Sequence, residues 1–206
     1  CDVIGFPKKV LEFVFTLDAD QHENIVIEVR IVSNNAHTEA LCFWNDGPAD
    51  FSKADNSEKA NQIITLKKIL RIIKDRPRFI SLHSRKAESV VLDLLKDTGI
   101  EKAVFHWYSG PMALIDNVVA AGYYFSINPA MIRSNKGRRI IERIPPERVL
   151  TETDGPYVKV KGRPAEPGDV KAIVDYLKDA WDKSFQEAEK TIELNFRILM
   201  GMRKIG

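Results

Sequence analysis

The feature that most constrains the fold is a regular alternation of short apolar runs and longer helical patterns, which begins near Arg78. The apolar runs are rich in β-branched or aromatic residues, and they cover residues 78–83, 102–106, 123–127 and 148–153. Continuous apolar runs of this length are typical of strands that are buried on both faces. Repeated βα units predict a parallel sheet, which is either closed into a barrel or open and doubly wound.

Helical patterns separate and follow these runs. Apolar spacing predicts helices over 86–98, 111–121, 137–143, 169–181 and 185–200. Ser184 and Glu187 form the S-x-x-E pattern of a capping box at the start of the last helix. The first 78 residues are less regular, and we expect strands over 2–6 and 25–32, a helix over 63–73, and a polar loop or insertion over 33–61.

Composition narrows the class of protein. Lys and Arg number 31 against 29 for Asp and Glu, so the chain does not hold nucleic acid by bulk charge. Cys1 and Cys42 have no paired spacing, which argues against a disulfide framework and for a reducing compartment. No apolar run has membrane-spanning length and no signal-peptide pattern opens the chain, so the expected location is the cytoplasm, without a membrane partner.

Three predicted strands end in polar residues suited to metal binding: His83, His106 and Asp154. In a (β/α) barrel the carboxyl ends of the strands form the active site, so the three side chains would converge there. Two imidazoles and a carboxylate suit Zn²⁺ or Mn²⁺. A single histidine at a strand end is more often structural, so only the three residues together indicate a metal site. A Ser-His-Asp triad through Ser109 is disfavoured because no G-x-S-x-G elbow is present.

The order and spacing of four motifs resemble the TatD family of metal-dependent hydrolases. The motifs are His83-Ser84-Arg85, Phe105-His106-Trp107-Tyr108-Ser109-Gly110, Gly122-Tyr123-Tyr124-Phe125-Ser126 and the segment 146–157, which contains Glu152-Thr153-Asp154-Gly155-Pro156. The resemblance runs from Ile63 to Leu199. The sequence around His106-Trp107, Asn128-Pro129 and Asp154-Gly155 most resembles the QatD branch, whose members are encoded with anti-phage defence genes.

The resemblance implies a TIM-type (β/α) barrel that cleaves phosphodiester bonds in DNA with a metal-activated water. It implies one or two divalent ions, Mg²⁺, Mn²⁺ or Zn²⁺. The ligands carried over are His83, His106 and Asp154, with Glu28 of Ile27-Glu28-Val29-Arg30-Ile31 as the bridging carboxylate. An outward-facing role for Glu28 on its strand is an equal alternative, and Glu39 or Asp46 are weaker candidates for this ligand. Asp154 would also orient the attacking water, and Glu152 is either a residue that positions a ligand or part of a salt bridge outside the barrel.

Three residues are expected to bind substrate, taken to be single-stranded DNA or DNA ends. Arg85 could grip a phosphate, although a solvated cation at a helix start is an equal alternative. Trp107 could stack a base, or wedge between strand and helix. Arg163 falls near the family's R-N-x-P loop but reads Arg163-Pro164-Ala165, which leaves its role open.

The N-terminal part departs from the family. A TatD enzyme begins with an H-x-H motif, and none occurs here. Residues 1–62 are therefore expected to be a divergent or truncated part of a single domain, 1–206, and the barrel to be incomplete at its N-terminus. A protein partner could cover the open edge of such a barrel. Two alternatives to a nuclease stay open: a catalytically degenerate subunit that acts as a scaffold, and another amidohydrolase-like activity.

Overall fold

The structure, a computed structural model, describes residues 10–16, 26–32, 40–42, 49–74 and 79–201. For the first three of these segments it describes the backbone. Strands β1 (Val10–Thr16) and β2 (Val26–Val32) form an antiparallel pair in which Val10 lies opposite Val32 and Thr16 opposite Val26. The predicted strand over 25–32 is confirmed, but its partner β1 was not predicted. The strand expected over 2–6 lies outside the described residues.

Five further strands form one sheet: β3 (Ala40–Cys42), β4 (Phe79–Leu82), β5 (Ala103–His106), β6 (Tyr124–Ile127) and β7 (Val149–Thr151). They follow one another in the order β3-β4-β5-β6-β7, and parallel registers join β3 to β4, β4 to β5, and β6 to β7. A doubly wound sheet reverses its strand order at a switch point, whereas a (β/α) barrel adds each new strand beside the last. The observed order is that of the barrel type.

Seven helices are described: α1 (Asn56–Ile73), α2 (Glu88–Asp97), α3 (Met112–Ala120), α4 (Pro129–Arg133), α5 (Asn135–Arg143), α6 (Val170–Ala180) and α7 (Phe185–Met200). None of them is long and apolar enough to cross a bilayer. The α7 bounds match the prediction, and the Ser184–Glu187 capping box is present. The prediction of a loop over 33–61 is wrong in part, because β3 and the first turns of α1 fall within it.

Helix α1 begins earlier than its apolar pattern because its start is fixed by a cap. The Asp55 carboxylate accepts a hydrogen bond from the Glu58 amide at 2.9 Å, and the Glu58 carboxylate accepts one from the Asp55 amide at 2.7 Å. These two bonds satisfy amide donors that have no partner within the helix. The first turns of α1 are exposed, and its buried side chains begin at Leu66.

The described residues group into two compact units, one ending at His106 and one beginning at Trp107. In both units the strands β4 to β7 are buried along their whole length, as the continuous apolar runs predicted. The first unit buries residues that include Leu70, Ile80, Leu95 and Phe105, and the second buries Ile115, Phe125, Ile141, Ile173 and Leu177.

A small hairpin follows β7. Its strands are β8 (Lys159–Val160) and β9 (Arg163–Pro164), which pair antiparallel. The amide of Ala165 donates to the Val158 carbonyl at 2.8 Å, and the amide of Val158 donates to the Asp154 carbonyl at 2.8 Å. These bonds tie the segment that follows Asp154 back onto itself.

Candidate metal centre

Strands β4 and β5 bring two histidines together. His83 directly follows β4 and His106 is the last residue of β5. Leu82 lies opposite Phe105 in the parallel register, so His83 and His106 stand one residue further on, at the same edge of the sheet. Their ring centroids are 4.2 Å apart with an interplanar angle of 80°. His106 is buried and His83 is half-buried.

Asp154 lies three residues beyond the end of β7 and is buried. Its backbone has a φ of 52°, in the left-handed region, which aspartate and asparagine tolerate better than most other non-glycine residues. His83, His106 and Asp154 each offer one ligand atom, and these three atoms all lie within 4.8 Å of one another. The group could therefore hold a metal ion.

The donor set fits a divalent ion of the first transition row. Imidazole nitrogens and carboxylate oxygens bind such an ion at about 2.0–2.2 Å, so two ligands of one ion lie no more than about 4 Å apart. Of the three ligand residues, His106 and Asp154 are buried and His83 is half-buried.

Glu152 lies at the centre of a buried hydrogen-bond network behind Asp154. Its carboxylate accepts a short hydrogen bond from the Ser126 hydroxyl and one of 3.2 Å from the Asn128 side-chain amide. Asn128 in turn caps α4, because its side-chain oxygen accepts from the amides of Ala130 and Met131 at 3.0 and 3.1 Å. The network joins the ends of β6 and β7 to the start of α4, which fixes the backbone that leads into Asp154.

Sequence reasoning missed Ser126 and Asn128. A signal was present, since both are polar residues at alternate positions at the end of an apolar run, so they point to one face of the strand. Of the two alternatives for Glu152, the buried position and the two uncharged donors fit a positioning residue.

A close backbone contact explains why a glycine stands at position 155, between Asp154 and Pro156. A Cβ atom at position 155 would lie 2.0 Å from the carbonyl oxygen of Ala165. The backbone around Ala165 therefore packs against Gly155 more closely than any side chain allows. This contact holds the hairpin β8–β9 against the residue that follows Asp154.

The three predicted substrate residues differ in their surroundings. Arg85 is exposed, and its carbonyl accepts a hydrogen bond from the Phe51 amide at 2.9 Å. Trp107 is 36% exposed and has a left-handed φ of 43°, an unusual conformation for a bulky residue. Such strain persists only where the surroundings impose it, and it is enriched at functional sites.

Arg163 is engaged by an acidic partner. Its guanidinium donates two hydrogen bonds to the Asp169 carboxylate, at 2.8 and 2.9 Å. The hydrogen bond to Asp169 raises the pKa of Arg163, and the bond from Arg163 lowers the pKa of Asp169. A phosphate at Arg163 would have to compete with this carboxylate.

Glu28 lies on β2, where the structure describes the backbone and not the side chain. Strand β2 pairs antiparallel with β1 and is not part of the five-stranded parallel sheet, in which the resemblance would place a strand carrying the bridging carboxylate. The assignment of Glu28 as a metal ligand stays a prediction.

Comparisons with known proteins agree with this geometry. Residues 49–201 match the family described as TatD related DNase. An uncharacterized metal-dependent hydrolase of Methanocaldococcus jannaschii is 28% identical over 144 residues, which are 69% of this chain and 56% of that protein. The human protein named Deoxyribonuclease TATDN3 is 30% identical over 112 residues, which are 52% of this chain and 40% of that protein. The chain spans about half the length of the curated relatives it matches.

Solved structures support the same fold. The TatD homolog YJJV of Escherichia coli superposes with a TM-score of 0.65 at 22% identity, over 75% of this chain and 62% of that chain. A TatD family hydrolase of Entamoeba histolytica gives a TM-score of 0.64 at 20% identity, over 73% and 60% of the two chains. These structures are of the TIM-barrel type, so the predicted fold class is confirmed.

Proposed function

Since this chain belongs to the TatD related DNase family, we propose that it hydrolyses phosphodiester bonds in DNA with a divalent ion held by His83, His106 and Asp154. The observation that carries the proposal is the compact group formed by the ligand atoms of these three residues. Glu28 is the fourth ligand that the family resemblance adds. Mg²⁺, Mn²⁺ and Zn²⁺ are the candidate ions.

Each ligand residue has a defined task in this proposal. His83 and His106 bind through neutral ring nitrogens, and the close T-shaped pair limits the directions in which either ring can turn. The Asp154 carboxylate both binds and accepts a hydrogen bond from the attacking water, which orients that water towards phosphorus. A bound divalent ion supplies positive charge that acidifies water and offsets the charge of the phosphoryl oxygens.

The surroundings of the group favour a polyanionic substrate over a neutral one. Arg85, two residues beyond His83, offers a planar guanidinium that can bind one phosphate through two hydrogen bonds. Trp107 directly follows His106 in the sequence, and its exposed ring offers a stacking surface for a base. Arg163 would contribute only after releasing Asp169. These features support single-stranded DNA or DNA ends as the substrate.

One finer proposal rests on the family resemblance alone. The residues of the motifs around Trp107 and Gly155 support membership of the QatD branch, and hence a role in anti-phage defence.

Substitution of Asp154 by Asn tests the proposal. Asn keeps the shape and tolerates the left-handed backbone, but it removes the negative charge. We expect nucleotide release from single-stranded DNA with Mg²⁺ or Mn²⁺ to fall at least about a hundredfold, the low end of the contribution of a positioned acid–base group. Asp93→Asn, an exposed aspartate on α2, is the matched control and should keep full activity.

Equal rates for Asp154→Asn and the unaltered protein would rule out this mechanism. If the folded protein has no activity on DNA under any of these conditions, the proposal is also wrong, and a binding role in a complex becomes the better account of the site.

A further inference from the structure

Helices α4 and α5 carry an exposed cluster of basic residues outside the candidate metal centre. Four of the seven residues from 133 to 139 are basic: Arg133 at the end of α4, and Lys136, Arg138 and Arg139 in α5. All four are exposed, and no acidic residue lies between them. We call these four residues the α4–α5 basic surface.

Ion pairs do not neutralise the positive charge of this surface, although Glu142 follows within α5. Other exposed arginines of this unit are paired, as Arg143 is with Asp116 and Arg163 with Asp169. Within the described part of the chain, no carboxylate lies within 4.0 Å of the charged groups of the α4–α5 basic surface. The chain as a whole is almost neutral, with a formal charge of +2, so a local excess of four cations stands out.

Two of the four cations are held in place by uncharged partners. The Lys136 ammonium donates to the Ser109 carbonyl at 2.5 Å. Arg138 donates from Nε to the Ile132 carbonyl at 2.7 Å, and its guanidinium lies 5.9 Å from the centre of the Tyr176 ring. These contacts fix the side chains without cancelling their charge, so less entropy is lost when an anion binds.

The backbone beneath the surface is also fixed. A Cβ atom at Gly137 would lie 2.2 Å from the Met131 carbonyl oxygen, so α5 packs directly on the backbone of α4. The Ser134 hydroxyl accepts from the Gly137 amide at 3.0 Å and caps α5. Helix α4 in turn starts directly after β6, where Asn128 caps it. The basic surface is therefore a rigid platform next to the edge of the sheet at which β6 ends.

The four cations are spread over seven consecutive residues, 133–139, at the end of α4 and in α5. Lys136 and Arg139 are three residues apart in α5, so they lie on the same side of the helix. Arg133 precedes them at the end of α4. Lys136 contacts the segment after β5, through its bond to Ser109. Several cations without carboxylate partners on one support suit a chain of phosphates better than one isolated anion.

We propose that the α4–α5 basic surface binds the sugar–phosphate backbone of a DNA strand that extends from the metal centre. The proposal rests on the proposed function, since it assumes that the substrate is DNA. Arg133, Lys136 and Arg139 contact phosphates, whereas the guanidinium of Arg138 mainly packs against the Tyr176 ring. The surface supplies affinity without sequence preference, because phosphate contacts carry no base information.

The test measures binding of a fluorescent single-stranded oligonucleotide in the absence of divalent metal, where no cleavage occurs. The variant Arg133→Gln/Lys136→Gln/Arg139→Gln removes three cations. The matched control, Lys96→Gln/Lys171→Gln/Lys190→Gln, removes three exposed cations elsewhere. We expect the basic-surface variant to bind at least about tenfold more weakly at low salt, and its plot of log K against log[salt] to be less steep by about 2, at about 0.7 per lost phosphate contact.

The control variant should change affinity by less than about twofold. An equal loss in both variants would mean that net charge alone is being measured, and it would overturn the proposal. Unchanged binding in the basic-surface variant would overturn it as well. Thermal unfolding of both variants checks that neither has lost its fold.

A small diester separates this inference from the proposed function. Bis(p-nitrophenyl) phosphate has a single phosphate and no sugar–phosphate backbone, so the basic-surface variant should hydrolyse it at the parent rate. If the parent cleaves DNA and the variant binds and cleaves DNA equally well, the inference fails and the proposed function stands. If the parent hydrolyses no diester but the variant loses DNA binding, the proposed function fails and the surface remains a nucleic-acid-binding site.

Discussion

The Glu152 carboxylate is buried together with the two side chains that donate hydrogen bonds to it. It is 2% exposed and accepts hydrogen bonds from Ser126 and Asn128. A buried carboxylate loses its hydration, and only donors of this kind offset that cost. Since the same bonds join the ends of two strands to the start of α4, Glu152 couples the stability of the sheet to the geometry of the segment that carries Asp154.

We predict that Glu152→Gln destabilises the protein by about 1–3 kcal/mol. Gln has one accepting oxygen where Glu has two, so it cannot accept from both Ser126 and Asn128, and one of these buried bonds must reverse or be lost. Urea unfolding measures the change. The control Glu189→Gln alters an exposed glutamate of α7 and should stay within about 0.5 kcal/mol of the parent. A Glu152→Gln protein as stable as this control would contradict the role given to the network.

The residues of the candidate metal centre could be predicted because each ends an apolar run. His83, His106 and Asp154 stand where a buried strand turns polar, and that pattern is local in sequence. The partners of Glu152 could not be assigned in the same way. Ser126 and Asn128 are separated from it by 26 and 24 residues, and their pairing depends on the register of β6 against β7.

Among the helices, the short α4 illustrates how a brief element can support a functional surface. It has five residues and no apolar periodicity of its own, which is why the sequence analysis missed it. Its start was nevertheless marked by Asn128 followed by Pro129, a capping residue before a proline in the first turn. Its contact with α5 at Gly137 then sets the position of both helices.

We predict that Gly137→Ala destabilises the protein by about 1–3 kcal/mol, the usual cost of an overpacked contact. Alanine has the higher helix propensity, so a helix effect alone would stabilise by about 1 kcal/mol. The added methyl group would meet the Met131 carbonyl at 2.2 Å, and backbone cannot move aside as a flexible side chain can.

Gly168→Ala provides the comparison, since a Cβ atom there meets nothing within 4 Å. Urea unfolding should place this variant at or slightly above the parent in stability. If both alanine variants are equally stable, the close packing of α4 on α5 is not a constraint, and the rigid platform described above loses its basis.

The repeated βα units were predictable at the level of elements, whereas the N-terminal strands were not. Strands β4 to β7 each lie within the apolar runs that predicted them, because burial on both faces leaves a continuous signal. Strand β3 has three residues within a polar stretch, and only its parallel pairing with β4 defines it. Such a strand is specified by its neighbour and not by its own composition.

For the molecule as a whole, the proposed metal site links metal binding to folding. An ion that binds the folded protein and not the unfolded chain stabilises the fold by about 2.7 kcal/mol at a concentration of 100 times its dissociation constant. For a chain of this size, 1 kcal/mol corresponds to a shift of about 2–4 °C in the unfolding temperature. The site should therefore be visible in a thermal scan.

We predict that Mn²⁺ at saturating concentration raises the unfolding temperature of the protein by about 5–10 °C. His83→Ala removes one of the three grouped ligands and should abolish most of this shift. The measurement is differential scanning calorimetry with and without a chelator. An equal shift in the variant would show that the ion binds elsewhere, and no shift in the parent would argue against a site formed by this chain alone.

The left-handed backbone at Asp154 limits which residues could replace this aspartate during evolution without disturbing the fold. Most side chains are penalised at a φ of 52°, whatever their effect on catalysis. Asn and Gly accept this conformation but bring no carboxylate, so they are the replacements that would abolish the proposed chemistry while sparing the fold. Inactive descendants of such a protein should therefore carry Asn or Gly at this position, and a β-branched residue there should be rare even after selection for catalysis has ended.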